Sequence, residues 1–188
     1  MNKNCIIVHG SNESEKEALE GKPENLRHWK PWLQRSLEDK GIKTSNDLYP
    51  KDWAPDYLAW KRIFEKNNID ENTTLVGHSA GTAFILRWIS ENKKKVDRVV
   101  LVAPSIFKSE KYKKLTFKDF EYDSGLKQYF NDLTVIYSDT DDEDIIRSAK
   151  EINSKLGGRL IMLKGKGHFT YDEMGTEEFP ELLEAVLK

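Results

Sequence analysis

The 188-residue sequence predicts an α/β fold built on a six-stranded, largely parallel sheet with helices on both faces. Three observations carry this prediction. Short apolar runs recur along the chain, segments of helical periodicity separate them, and Gly or Asn residues stop most of those segments. Right-handed crossovers between parallel strands then place helices on both sides of the sheet.

The elements follow in order. Asn4 to Val8 is a short apolar run ending in His9-Gly10, read as a buried strand. Residues 11–24 are polar, contain Gly21 and Pro23, and read as a loop. From Asn25 to Lys40, Leu26, Trp29, Leu33 and Leu37 share one helical face, and Gly41 stops the helix. Pro31 lies inside this pattern and suits the first turn of a helix whose preceding residues form a separate turn. Ile42 to Leu48 is a weaker strand. Tyr57, Trp60, Ile63 and Phe64 mark a second amphipathic helix, closed by Asn67-Asn68. Thr73 to Val76 is the third strand and Thr82 to Glu91 the next helix. Val96 to Val102 is an apolar strand stopped before Pro104, and Leu133 to Tyr137 is the fifth. A helix over Ile145 to Leu156 ends at Gly157-Gly158, a strand spans Arg159 to Leu163, and Thr176 to Lys188 is the last helix. Residues 105–131 mix lysines with Phe107, Tyr112, Phe117, Phe120, Tyr122, Tyr129 and Phe130, and are the one candidate for a small cap or pocket wall on a single domain spanning 1–188.

Composition bounds the function. A chain of this length buries roughly 70% of its unfolded surface, enough for a core. Lys and Arg total 30 against 32 Asp and Glu, so no global charge draws the chain to nucleic acid or to an anionic membrane. Lys93, Lys94 and Lys95 suit the end of a helix and its dipole. The single cysteine, Cys5, excludes an internal disulfide and reads as a small core residue. The apolar run at the N-terminus is too short for a secretion signal, and no run has the length of a membrane span. The expected setting is the cytoplasm, without nucleic-acid or membrane partners.

The chemistry centres on Gly77-His78-Ser79-Ala80-Gly81, a G-x-S-x-G match. Such a match arises by chance in roughly one chain of this length in twenty. Here an apolar strand precedes it and a helix follows, the strand–turn–helix that a nucleophile elbow requires. Glycines at the flanking positions avoid collision across a sharp turn, and the turn aims the backbone N–H of Ala80 at the reacting centre as one donor of an oxyanion hole. Neither nucleotide fingerprint, Gly-x-Gly-x-x-Gly or Gly-Lys-Ser/Thr, is present.

A serine nucleophile needs a base, and the base an orienting carboxylate. In open α/β sheets such groups gather at the carboxyl ends of the strands. His168, in the glycine-punctuated "LKGKGHFT" after the final strand, meets that requirement. His9 ends the first strand and belongs to the loop that shapes the oxyanion hole, His78 lies inside the elbow, and His28 reads as surface or packing. The acid should follow the fifth strand, where "SDTDDEDI" offers Asp139, Asp141, Asp142, Glu143 and Asp144. These acids are not a calcium loop, since the sixth and twelfth positions from Asp139 are Asp144 and Lys150. Most of them are expected to be solvated or to sit at the positive end of the next helix.

The short length, the "VGHSAGT" elbow, the Ser-Asp turn at "SDTDDEDI" and "GKGHF" near the C-terminus resemble the small serine hydrolases of the retinoblastoma-binding protein 9 family, within the α/β-hydrolases. The resemblance implies a reduced α/β-hydrolase core with strand order 2-1-3-4-5-6. It implies Ser79 as nucleophile, His168 as base, and Asp142, the second Asp of the Asp-Asp pair, as acid, with Asp141 and Asp139 as alternatives. It also implies a second oxyanion donor from "HGSNES", the N–H of Ser11 or, alternatively, Asn12. The expected activity is hydrolysis of a small ester or amide, needing neither metal nor organic cofactor. The competing expectation is a protein-binding module on a hydrolase scaffold; a nucleotide-binding, flavodoxin-like domain is a weaker third.

Overall fold

The computed structural model describes residues 3–107 and 120–188. Six parallel strands form one sheet: β1 (Asn4–Val8), β2 (Lys43–Ser45), β3 (Thr73–His78), β4 (Val96–Val102), β5 (Phe130–Ser138) and β6 (Arg159–Leu163). Their spatial order is β2-β1-β3-β4-β5-β6, as expected. Ile6 lies opposite Leu75, Leu75 opposite Val99, and Val99 opposite Leu133, a register that runs one apolar row across the sheet.

Side chains alternate across the pleat, so each strand feeds two cores. Ile6 and Val8 face one side, with Trp60 and Phe64 of α3 (Tyr57–Phe64), Phe84 and Ile85 of α4 (Ala80–Asn92), and Ile152 and Leu156 of α5 (Glu143–Leu156). Cys5 and Ile7 face the other, with Leu33 and Leu37 of α2 (Lys30–Glu38) and Leu182 and Val186 of α7 (Pro180–Leu187). Fully burying such a side chain contributes about 1.5–3 kcal/mol. Arg98 of β4 is spent structurally: its Nη1 donates to the carbonyls of Ala185 and Val186, at the negative end of α7.

Two local differences from the sequence reading, in the first loop and the last helix, have physical causes, and the reading of Pro31 as the start of the main helix holds. The polar stretch expected as a loop contains α1 (Glu15–Glu20), capped by the Ser14 hydroxyl accepting from Glu17 N–H; it buries none of its residues, so it has no apolar face to read. The helical pattern read from Asn25 divides into a 3₁₀ turn at Glu24–Leu26 and α2, with Pro31 in the first turn of α2. The last helix starts at Pro180 rather than Thr176, because a four-residue helix, α6 (Tyr171–Met174), ends at left-handed Gly175 just before it. Of the segment expected as a pocket wall, residues 108–119 lie outside the described residues; Phe120 and Tyr122 stack on each other and pack against the α3–α5 core.

Candidate active site

β3 ends at His78 and α4 starts at Ala80, so Ser79 alone makes the turn. Its φ of +51° is left-handed, a strained value for a residue with a side chain. The turn is over-determined. Ser79 N–H donates to the Val102 carbonyl at 3.0 Å, and the Ser79 carbonyl accepts from Thr82 N–H and Ser105 N–H. Both motif glycines are crowded, and Gly81 is a steric necessity. A Cβ on Gly77 would stand 3.1 Å from the Thr82 backbone, and one on Gly81 would meet the carbonyls of Val8 and His9, the latter at 2.6 Å. The first turn of α4 thus rests directly on the end of β1. Gly81→Ala is expected to cost about 3 kcal/mol, read as a lowered urea midpoint with unchanged slope, because the obstructing atoms are backbone.

His168 sits in the loop between β6 and α6, which three bonds tie to the turn after β5. Asp139 Oδ1 accepts from Gly165 N–H, Ser138 Oγ from Lys166 N–H, and Thr140 Oγ1 from Gly167 N–H, at 2.8, 2.9 and 3.1 Å. This joins the loop of His168 to the turn that carries Asp139, Asp141 and Asp142. His168 Nδ1 lies 3.0 Å from both carboxylate oxygens of Asp141. The Asp141 side chain is 3% exposed and that of His168 30%. A carboxylate there fixes the proton on Nδ1 and leaves Nε2 as the acceptor.

The expected partner of His168, Asp142, is therefore corrected to Asp141. Asp142 is exposed and flanks the N-terminus of α5, and its own N–H donates to Asp141 Oδ1 at 2.7 Å. The start of α5 at Glu143 turns Asp142 to solvent, whereas the residue before it still faces the His168 loop. The other alternative, Asp139, is engaged by Gly165.

Ser79, Asp141 and His168 line one cavity of about 850 Å³, together with Gly10, Ser11 and Asn12 at the end of β1. A Cβ on Gly10 would be 3.1 Å from Ser79 Cβ, so the first loop passes directly over the serine. Ala80 opens α4, where first-turn N–H groups lack helical acceptors. Phe107 borders the same cavity. Among the described residues, no group of three or more His, Cys, Asp or Glu is arranged to hold a metal ion, and no helix is long and apolar enough to cross a membrane.

The remaining histidines are structural parts of this site. His9 is buried. Its Nδ1 lies 2.7 Å from the Gly10 carbonyl and its Nε2 accepts from Tyr49 N–H, which sets a neutral Nδ1–H tautomer and the path of the chain into Ser11. Burial pushes its pKa down to about 4. His28, expected as surface or packing, lines the cavity in a left-handed conformation and accepts from Tyr171 N–H; burial also pushes it down to about 4. His78 lies under the His168 loop, and burial holds it well below its ordinary value.

The sequence reading missed a charged network in the cavity wall. Arg27 Nη1 donates to Asn12 Oδ1 at 2.6 Å, and Asn12 Nδ2 donates to Asp52 at 2.8 Å. Lys30 Nζ, fully buried, donates to Glu24 at 2.8 Å. Burial raises the Glu24 carboxyl, but Lys30 outweighs it and brings the group to about 2. A buried ion pair leaves no periodic signal, so only the pairing itself reveals it.

The parallel sheet in this order, with a serine elbow after β3, defines an α/β-hydrolase. The serine hydrolase family model matches residues 5–188, and the chain belongs to that family. It is 26% identical over 184 residues to the Bacillus subtilis (strain 168) protein YdeN, whose name describes it as a hydrolase, covering 92% of this chain and 89% of YdeN. The crystal structure of the B. subtilis ydeN gene product superposes with a TM-score of 0.82 at 23% identity, over 99% of this chain and 97% of that one. Est1E from Butyrivibrio proteoclasticus gives 0.61 at 15% identity over 100% and 89%, and a Paleococcus ferrophilus monoacylglycerol lipase 0.64 at 11% over 100% and 96%.

Proposed function

We propose that this serine hydrolase cleaves small carboxylic esters, or small amides, through an acyl-enzyme on Ser79. The observation that carries the reading is the 3.0 Å contact of His168 with buried Asp141 inside the cavity that holds Ser79. His168 Nε2 accepts the hydroxyl proton as Ser79 Oγ attacks the carbonyl carbon. Asp141 keeps the imidazole in that tautomer and stabilises its positive charge. The oxyanion is held by the N–H of Ala80 and of Ser11, with Asn12 the alternative; each such donor is worth about 3–4 kcal/mol. His168 then protonates the leaving alkoxide or amine, and on its second cycle draws a proton from water as the acyl group departs. No step calls for a metal or an organic cofactor.

The whole chain acts as one catalytic domain in this reading, with Ser105 and Phe107 at the cavity edge. Kinship with the retinoblastoma-binding protein 9 group rests on the elbow and the C-terminal Gly-His-Phe. A cytoplasmic setting is consistent with a sequence whose single cysteine, Cys5, can form no internal disulfide.

A fluorophosphonate probe is expected to label wild type at Ser79, and wild type to hydrolyse 4-nitrophenyl acetate; Ser79→Ala should do neither while melting at the same temperature. Folded wild type that shows neither labelling nor turnover refutes the reading.

A further inference from the structure

The base sits in a loop that its own sequence does not favour. Gly167 and Phe169, on either side of His168, both have left-handed φ, +50° and +58°, and for phenylalanine that conformation is costly. Such a loop persists only when its surroundings over-determine it. Both peptide groups of His168 are held by side chains. Its N–H donates to Glu173 Oε2 at 2.8 Å, and its carbonyl accepts from His78 Nε2 at 3.0 Å. Gly167 is glycine for the same reason, since a Cβ there would collide with the Glu173 side chain.

The two holders come from different elements, Glu173 from α6 and His78 from the end of β3. His78 also directly precedes Ser79. One covalent bond and one hydrogen bond therefore link the residue proposed as nucleophile to the residue proposed as base, which are far apart in sequence. The imidazole of His78 is 2% exposed, in edge-on contact with Trp29 at 5.6 Å between ring centroids and 5.2 Å from the His168 ring.

We infer that His78 and Glu173 are positioning residues that clamp the His168 peptide from both sides and so fix where its imidazole meets Ser79. The inference rests on the proposed role of His168. Burial keeps His78 neutral, so a single N–H, on Nε2, serves the His168 carbonyl. Glu173 has a second role to be separated from this one: it completes a capping box with Thr170 at the start of α6.

The test compares kcat and KM on 4-nitrophenyl acetate, melting temperature, and hydrogen exchange at the His168 amide. His78→Leu is expected to lower kcat about 100-fold with KM within about twofold, since an ångström of misplacement costs that much. His78→Gln, whose Nε2 reaches a similar point, should recover most of it at a similar melting temperature. Glu173→Ala should lower kcat about tenfold and speed His168 amide exchange, and Glu173→Gln, still an acceptor and still a cap, should do neither. Thr170 Oγ1 donates to the same Glu173 Oε2 at 2.8 Å, so Thr170→Ala should lower the melting temperature like Glu173→Ala with a smaller loss of kcat and of amide protection. The clamp is overturned if His78→Leu and Glu173→Ala both stay within threefold of wild type. An inactive wild type would refute the proposed activity instead, and amide exchange, which needs no turnover, would then decide the clamp alone.

Discussion

Asp141→Asn is expected to lower kcat about 10⁴-fold on a nitrophenyl ester with little change in KM, whereas Asp142→Asn stays within about threefold of wild type. The asymmetry follows from where the two carboxylates point. Asp141 is buried against Nδ1 of His168 and dictates that this nitrogen carries the proton. An amide in its place can present NH₂ to Nδ1 and stabilise the opposite tautomer, with Nε2 protonated and unable to accept from Ser79. Asp142 faces solvent at the positive end of α5, where its charge contributes about 0.3–1 kcal/mol to stability and nothing to the imidazole. Steady-state kinetics on the two variants decide the assignment: loss confined to Asp142→Asn would restore the acid that the family resemblance implied.

Lowering the pH from 7 to 4.5 is expected to remove several kcal/mol of folding stability. His9 shows why. Its Nε2 already accepts from Tyr49 N–H, so a second ring proton would set two donors against each other in a buried site. The folded chain refuses that proton down to about pH 4, whereas the unfolded chain takes it up near 6.5. Across that window the unfolded state binds more protons, so stability falls as pH falls, and His9 alone accounts for about 3 kcal/mol. His78 and His28, both depressed by burial, add in the same direction. Glu24 acts in a lower window: its depressed carboxyl contributes stability that is full above about 4.5 and lost as pH falls through about 2. Urea midpoints at pH 7.5, 6, 5 and 4.5 check this. A midpoint constant from 7.5 to 5 would show that these histidines titrate freely in the folded protein.

Both expectations turn on contacts that periodicity does not encode, and this divides what the chain discloses by itself from what its folding adds. The apolar runs at Asn4–Val8, Thr73–Val76 and Val96–Val102 are legible as strands because a strand covered by helices on both faces is predominantly apolar. Helices on both faces follow from handed crossovers, the sheet order was implied by the family resemblance, and Gly77 and Gly81 follow from the crowding of a turn packed on β1. These are local rules, or rules about one element against a uniform core, and a sequence states them directly.

Which of two adjacent carboxylates faces His168 is a different kind of fact. It depends on the residue at which α5 begins, and a shift of one residue in that start redirects a side chain from solvent to the imidazole. The pairing of Glu24 with Lys30, the burial of His9 and the bond from His78 to the His168 carbonyl likewise join residues with no shared period. Sequence alone determined the fold class, the elbow with Ser79 at its apex and the loop bearing His168. The tertiary structure decided that Asp141 is the carboxylate against His168 and which side chains hold the base in place, because hydrogen bonds between loops are fixed by ångström-scale placement of elements far apart in the chain.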